Sequence, residues 1–137
     1  MMNSERTQPL VLVVDDEQVV LDEVAAILAN TGLACQCCTS TEAAVAAAET
    51  VLPDLILCDV NVHGASGVEM CQRIRQDMRL ADVPVMFLSS RQIPDIIRRN
   101  DGAHGTYYVR KPCSPEVLVE LIDRVLGKDR LLVGGAP

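Results

Sequence analysis

The stretch PLVLVVDDEQ, residues 9–18, decides the fold. Five apolar residues, Leu10 to Val14, read as a buried β-strand. They run straight into three carboxylates, Asp15, Asp16 and Glu17. Adjacent like charges repel, and a carboxylate at the end of a core strand resists desolvation. A cluster of this kind calls for a partner that makes it worth having.

Outward from this strand, apolar runs and helical patterns alternate. A helix is predicted over 19–30, with Val20, Val24, Ile27 and Leu28 on one face and Gly32 as its stop. A second strand follows over 33–38. Ser40 caps a second helix whose EAAVAAAE is Ala-rich and suited to close packing. Pro53-Asp54 marks a turn before a third strand, LILCD, residues 55–59. The loop VNVHGAS leads to Ser66-Gly67-Val68-Glu69, a capping-box pattern that opens a third helix. Met70, Cys71, Ile74 and Met78 are expected on one side of it. VPVMFLSS, residues 83–90, is a fourth strand, and 94–100 a short fourth helix. TYYV, residues 106–109, is a fifth strand. Ser114-Pro115-Glu116 starts a fifth helix, which Gly127 is expected to end. Five strands alternating with five helices predict an α/β fold, a doubly wound parallel sheet covered on both sides.

Composition bounds the function. The chain has 137 residues, about half of them apolar, enough for one domain with a core. Phe87, Tyr107 and Tyr108 are its aromatic residues, so aliphatic side chains build that core. A net charge of −7 argues against direct nucleic-acid binding, which needs clustered Lys and Arg. No secretory signal or membrane-length apolar run is present, so a cytoplasmic location is expected. The six cysteines include one CxxC spacing, Cys35 to Cys38, but no second pair and no nearby His, and read as reduced thiols acting as small apolar residues. Residues 1–8 are expected to be a disordered N-terminal segment, 9–127 the domain, and 128–137 a flexible tail.

In a doubly wound sheet, ligands bind beyond the carboxyl ends of the strands. The first strand delivers Asp15 and Asp16 there, the third Asp59, the fourth Ser89 and Ser90, and Lys111 follows the fifth. A helix N-terminus would explain one acid of this set, but not Asp59 or Lys111 on other strands. Close carboxylates without a cation force one to take up a proton. All-oxygen ligands select a hard ion, Mg²⁺ or Mn²⁺. Asp15, Asp16 and Asp59, with the backbone carbonyl of Asn61, form the expected metal set. Lys111 then suits phosphate charge, Ser89 donates to a phosphate oxygen, and Asp59 is the candidate nucleophile for a phosphoryl group.

VLVVDDE, PDLILCDVNVHGASG, MFLSS and YYVRKP stand in this order and at family-like spacing over residues 9–127. In them the sequence resembles the receiver domain of two-component response regulators. The resemblance implies a flavodoxin-like sheet of order 2-1-3-4-5. It implies Asp59 as phospho-acceptor, Asp15 and Asp16 as metal-site acids, Ser89 as switch hydroxyl, Lys111 as phosphate-binding lysine and Tyr108 as switch aromatic. It implies a histidine kinase or phosphotransfer protein as donor. A downstream protein partner would meet the face formed by the fourth helix, fifth strand and fifth helix. Such a module catalyses only its own phosphotransfer and dephosphorylation. Asn61 and Arg91 lie where resembling domains meet the incoming water.

There are departures. Family members often carry Pro four residues after the acceptor; His63 stands there, so a looser loop is expected. His63 reads as a solvent-exposed loop residue, with contact to phosphate or a partner as the alternative. DGAHGTYY departs from the usual spacing ahead of the aromatic. Arg98-Arg99 read as a solvated face. One rival function is a Mg²⁺-dependent aspartyl-phosphate phosphohydrolase, which would need an acid where Asn61 stands. The other is an interaction scaffold independent of phosphate. No output region is visible, so either a stand-alone receiver or part of a longer chain is expected.

Overall fold

The computed structural model describes residues 8–90, 105–111 and 113–134, with side chains to residue 127 in the last segment. The predicted fourth helix, Arg91, Arg98-Arg99, Pro112 and the chain ends at 1–7 and 135–137 lie outside the described residues.

Seven strands and four α-helices are described. They are β1 (Leu10–Val14), α1 (Gln18–Ala29), β2 (Ala34–Cys38), α2 (Thr41–Val51), β3 (Leu55–Asp59), β4 (Asn61–Val62), β5 (Ala65–Ser66), α3 (Gly67–Ile74), β6 (Val85–Ser89), β7 (Thr106–Arg110) and α4 (Pro115–Gly134). Five strands form one parallel sheet in the order β2-β1-β3-β6-β7. That is the predicted 2-1-3-4-5 order, because β4 and β5 form a separate two-stranded hairpin.

Strand alternation divides the core in two. Val11, Val13, Leu55, Leu57, Met86 and Leu88 face α1 and α4, meeting Leu21, Val24, Leu28, Leu118 and Ile122. Leu12, Val14, Ile56, Cys58, Val85 and Phe87 face α2 and α3, meeting Ala44, Ala48, Met70, Cys71 and Ile74. β1 is buried along its whole length, as its unbroken apolar run requires. Each fully buried Leu or Ile stabilises by roughly 1.5–3 kcal/mol.

The predicted caps are present. Ser40 Oγ accepts from Ala43 N, Ser66 Oγ from Glu69 N and Ser114 Oγ from Val117 N, at 3.1, 3.1 and 3.2 Å. Away from the acidic end, Asp54 Oδ2 accepts from Leu10 N at 2.8 Å and locks the start of β1 to β3. Arg75 reaches Val83 O at 2.8 Å and Thr106 Oγ1 at 3.2 Å, tying α3 to the starts of β6 and β7.

Val24 and Leu28 are buried on the predicted face of α1, Leu21 joins them, and Val20 packs against the same cluster. Val20, Val24 and Ile27 also line an open cavity of about 510 Å³ with Leu88, Lys111, Cys113 and Leu118. Two expectations are corrected. Met78 is 91% exposed, because α3 stops at Ile74 and a 3-10 turn over Met78–Leu80 buries Leu80 in its place. The last helix runs through Gly127 to Gly134. A lone Gly inside a helix costs only about 1 kcal/mol against Ala, too little to stop it.

Candidate functional site

The carboxyl ends of β1, β3, β6 and β7 bring Asp15 and Asp59 to Lys111, with Ser89 at the same end of the sheet. Asp15 follows the last residue of β1, and its backbone N donates to Cys38 O at the end of β2, 3.2 Å away. Only 3% of Asp15 is exposed. Its Oδ1 accepts from Glu17 N at 2.9 Å, which turns the chain toward α1. Its Oδ2 meets Lys111 Nζ at 3.1 Å. The same ammonium lies 3.4 Å from Asp59 Oδ2. One cation therefore joins carboxylates from two strands. Burial alone would push the Lys111 pKa down. Its pairing with Asp15 and Asp59 outweighs that and holds it above the ordinary lysine value.

Lys111 is aimed by its backbone. Its N–H donates to Ser89 O at 2.8 Å, extending the β6–β7 ladder past Arg110. Ser89 is buried and lies one position beyond Leu88, the register partner of Asp59. Tyr108 pairs with Phe87 across the same ladder and stacks on it, ring centroids 5.3 Å apart and 18° from parallel.

Asp16 Oδ2 accepts the backbone N–H of His63 at 2.9 Å. This bond, against a smaller opposing effect of burial, holds the Asp16 carboxyl below its ordinary value. Its donor comes from a loop that is tight, not loose as expected. β4 and β5 pair antiparallel and leave His63-Gly64 as a two-residue turn. Both residues have positive φ, 51° and 81°, as a type I′ hairpin requires. Proline fits neither that φ nor the donated N–H. Gly64 N also donates to Asn61 Oδ1 at 2.9 Å, and Asn61 N to Asp59 Oδ1 at 3.2 Å. The His63 imidazole is 65% exposed, with Nδ1 4.0 Å from Asp16 Oδ2.

Two features were missed in the sequence. Gly67 begins α3 directly against the end of β3. A Cβ there would collide with Asp59 O and lie 3.0 Å from Cys58 Sγ and 3.2 Å from Val60 O. The capping pattern around Gly67 was visible, but not this close approach. The second is the place of Glu17, which the sequence set in the acidic run but left out of the expected metal set. Among the described residues, the acidic group with ligand oxygens within 4.8 Å of one another is Asp15, Asp16 and Glu17, without Asp59. Its adjacency to the two aspartates was the available signal. Cys58 supports the site from below, its thiol 2.9 Å from Asp59 O. Interaction with Cys71, then burial, pushes that thiol far up, so it stays protonated.

The donors facing this end of the sheet are carboxylate oxygens, with an ammonium among them. This set fits a hard divalent cation beside an anionic oxygen group, and it offers no soft ligand.

The Response regulator receiver domain family model matches residues 11–123. The phosphate regulon transcriptional regulatory protein PhoB of Pseudomonas aeruginosa is 32% identical over 116 residues, covering 85% of this chain and 51% of that protein. The DNA-binding dual master transcriptional regulator RpaA of Synechocystis is 32% identical over 125 residues, covering 90% and 52%. The chain thus spans about half the length of these curated relatives. The chemotaxis response regulator CheY4 of Vibrio cholerae superposes with a TM-score of 0.78 at 27% identity, covering 87% of this chain and 99% of that one.

Proposed function

The chain belongs to the response regulator receiver domain family, and from this premise we propose that it is a phospho-acceptor module of a two-component phosphorelay, modified on Asp59. The observation that carries the proposal is Lys111 Nζ, held between Asp15 and Asp59 at 3.1 and 3.4 Å. A carboxylate oxygen of Asp59 attacks the phosphorus of a phosphohistidine donor. The P–N bond breaks, the imidazole nitrogen leaves and takes up a proton, and an acyl phosphate remains on Asp59. Lys111 then pairs with a phosphoryl oxygen in exchange for part of its contact with Asp59, and Ser89 donates its hydroxyl to another.

Asp15, Asp16 and Asp59, with the Asn61 carbonyl, would hold Mg²⁺ or Mn²⁺, and Glu17 stands within the same acidic group. When bound, the ion neutralises charge on the phosphoryl oxygens. The donor is a histidine kinase or phosphotransfer protein. The downstream partner is a protein meeting the face of β7, α4 and the predicted fourth helix, with Tyr108 as the responding aromatic. The receiver unit spans 9–127, with 1–8 and 128–137 as flanks. We place it in the cytoplasm, without direct contact to membrane or nucleic acid. Among the described residues no helix is long and apolar enough to cross a membrane.

The module turns over no external phosphate ester. Asn61 supports this over the hydrolase reading. It stands where that chemistry needs an acid, and its side-chain oxygen is engaged by Gly64 N. The test is incubation with a small acyl phosphate and Mg²⁺, read by intact mass. The wild type should gain one phosphoryl group and Asp59→Asn none; equal labelling of the two would refute the assignment.

A further inference from the structure

β2 closes one side of the sheet. β1 pairs its inner side and, among the described residues, no strand pairs its outer side. The ladder fixes which residues face outward. Ala34 N donates to Pro9 O at 2.9 Å and Cys38 O accepts from Asp15 N at 3.2 Å, in a register unbroken from Leu10–Ala34 to Val14–Cys38. Backbone groups alternate along a strand. Ala34, Gln36 and Cys38 therefore turn theirs to β1, while Cys35 and Cys37 each turn an N–H and a C=O outward.

Charges, prolines and bulges blunt the exposed edges of sheets. This edge has none of them. In a chain of net charge −7, no charged residue or proline stands between Glu23 and Glu42. The regular register leaves no bulge in β2. The helices beside it are low. Val20 and Ile27 line the cavity on one side of α1, so helical spacing turns Ala25 and Ala29 to the other, with Asp22, whose charge reaches Cys37. On α2, Val45 and Glu49 face Arg73 and Ile74 of α3 and its end, which leaves Ala43 and Ala47 toward β2.

We propose that β2 pairs antiparallel with β2 of a second copy of this chain, about a two-fold axis through Gln36 and normal to the sheet. Cys35 then exchanges N–H and C=O bonds with Cys37 of the second copy, and the reverse follows by symmetry. Gln36 meets its own image as the closer, non-hydrogen-bonded type of pair. A carboxamide both donates and accepts, so it complements itself. The neutral edge lets two acidic chains approach without like charges in contact, and the axis sets Asp22 of each copy on opposite sides. The strand ends that carry Asp59 point in opposite directions, and both stay open.

The test is analytical ultracentrifugation of the phosphine-reduced chain from micromolar to millimolar concentration, with amide hydrogen exchange by NMR at both ends of the range. Wild type should dimerise as concentration rises. The Cys35 and Cys37 amides should exchange freely in the monomer and slowly in the dimer, while Ala34 stays protected throughout. Cys37→Pro removes an outward N–H and leaves the ladder to β1 intact. It should weaken the dimer roughly tenfold or more. Gln36→Glu sets like charges opposite each other on the axis and should also favour the monomer. Both variants should keep a wild-type circular dichroism spectrum. A monomer at every concentration, a dimer undiminished in either folded variant, or a dimer whose Cys35 and Cys37 amides still exchange freely would overturn the proposal.

Discussion

His63 shows how one residue can serve through its backbone. Its N–H holds Asp16 at 2.9 Å because the residue adopts φ of 51°. His63→Pro removes the donor and forbids the conformation, so it should destabilise by more than about 1 kcal/mol in urea. His63→Gly keeps the N–H and relaxes φ, and should stay within about 0.5 kcal/mol of wild type. The pH response separates the two. A carboxyl held below its unfolded value of 3.8 contributes stability that is complete above that value and is lost as pH falls through the folded one. An NMR titration of the Asp16 carboxyl should move toward 3.8 in His63→Pro and stay put in His63→Gly. An unmoved titration in His63→Pro would refute the role of the His63 amide. Residue types announced Asp15, Asp16, Asp59 and Lys111, because a carboxylate or lysine at the end of an apolar strand conflicts with its surroundings. The His63 contribution was hidden, since a backbone donor has no side-chain signature. The signal lay in His63-Gly64 as a two-residue turn between short extended pieces.

At the level of elements, two helix glycines predict opposite outcomes for one substitution. Gly67 opens α3 against Asp59 O, Cys58 Sγ and Val60 O. Gly67→Ala must push α3 off the end of β3, and should cost about 1–3 kcal/mol in chemical denaturation. Gly127 lies inside α4, where a Cβ would meet nothing within 4 Å. Gly127→Ala should therefore stabilise by roughly 0.5–1 kcal/mol. Destabilisation at both sites would mean that α4 does not continue past Gly127. The strands and caps were legible because apolar runs and Ser at helix starts are local signals. Helix ends were less so. Met78 fits the helical spacing of Met70, Cys71 and Ile74, yet the chain leaves α3 after Ile74 and buries Leu80 by a 3-10 turn. Periodicity marks which residues prefer the core, while tertiary packing decides which turn of the chain delivers them.

For the whole molecule, alternation of apolar runs with helical patterns was enough to read the doubly wound architecture, because each strand of the sheet must be covered on two faces. Strand order entered through the ordered motifs, since periodicity is blind to which strands are neighbours. The global prediction concerns Mg²⁺. An ion bound only by the folded chain stabilises it by RT ln(1 + [L]/Kd), about 2.7 kcal/mol at a hundredfold excess over Kd. The melting temperature should rise by several degrees with Mg²⁺, and much less in Asp16→Ala. No rise in wild type, or an undiminished rise in the variant, would argue against the acidic site. The placement of the aromatics has an optical consequence. The chain has no tryptophan, and both of its tyrosines are neighbours on β7. Tyr107 packs with the core beneath α1 and α4, and Tyr108 with the core beneath α2 and α3. Intrinsic emission is therefore a two-channel reporter mounted on a single strand. Quenching of Tyr107→Phe and Tyr108→Phe would watch the two sides of the sheet separately, with no attached dye.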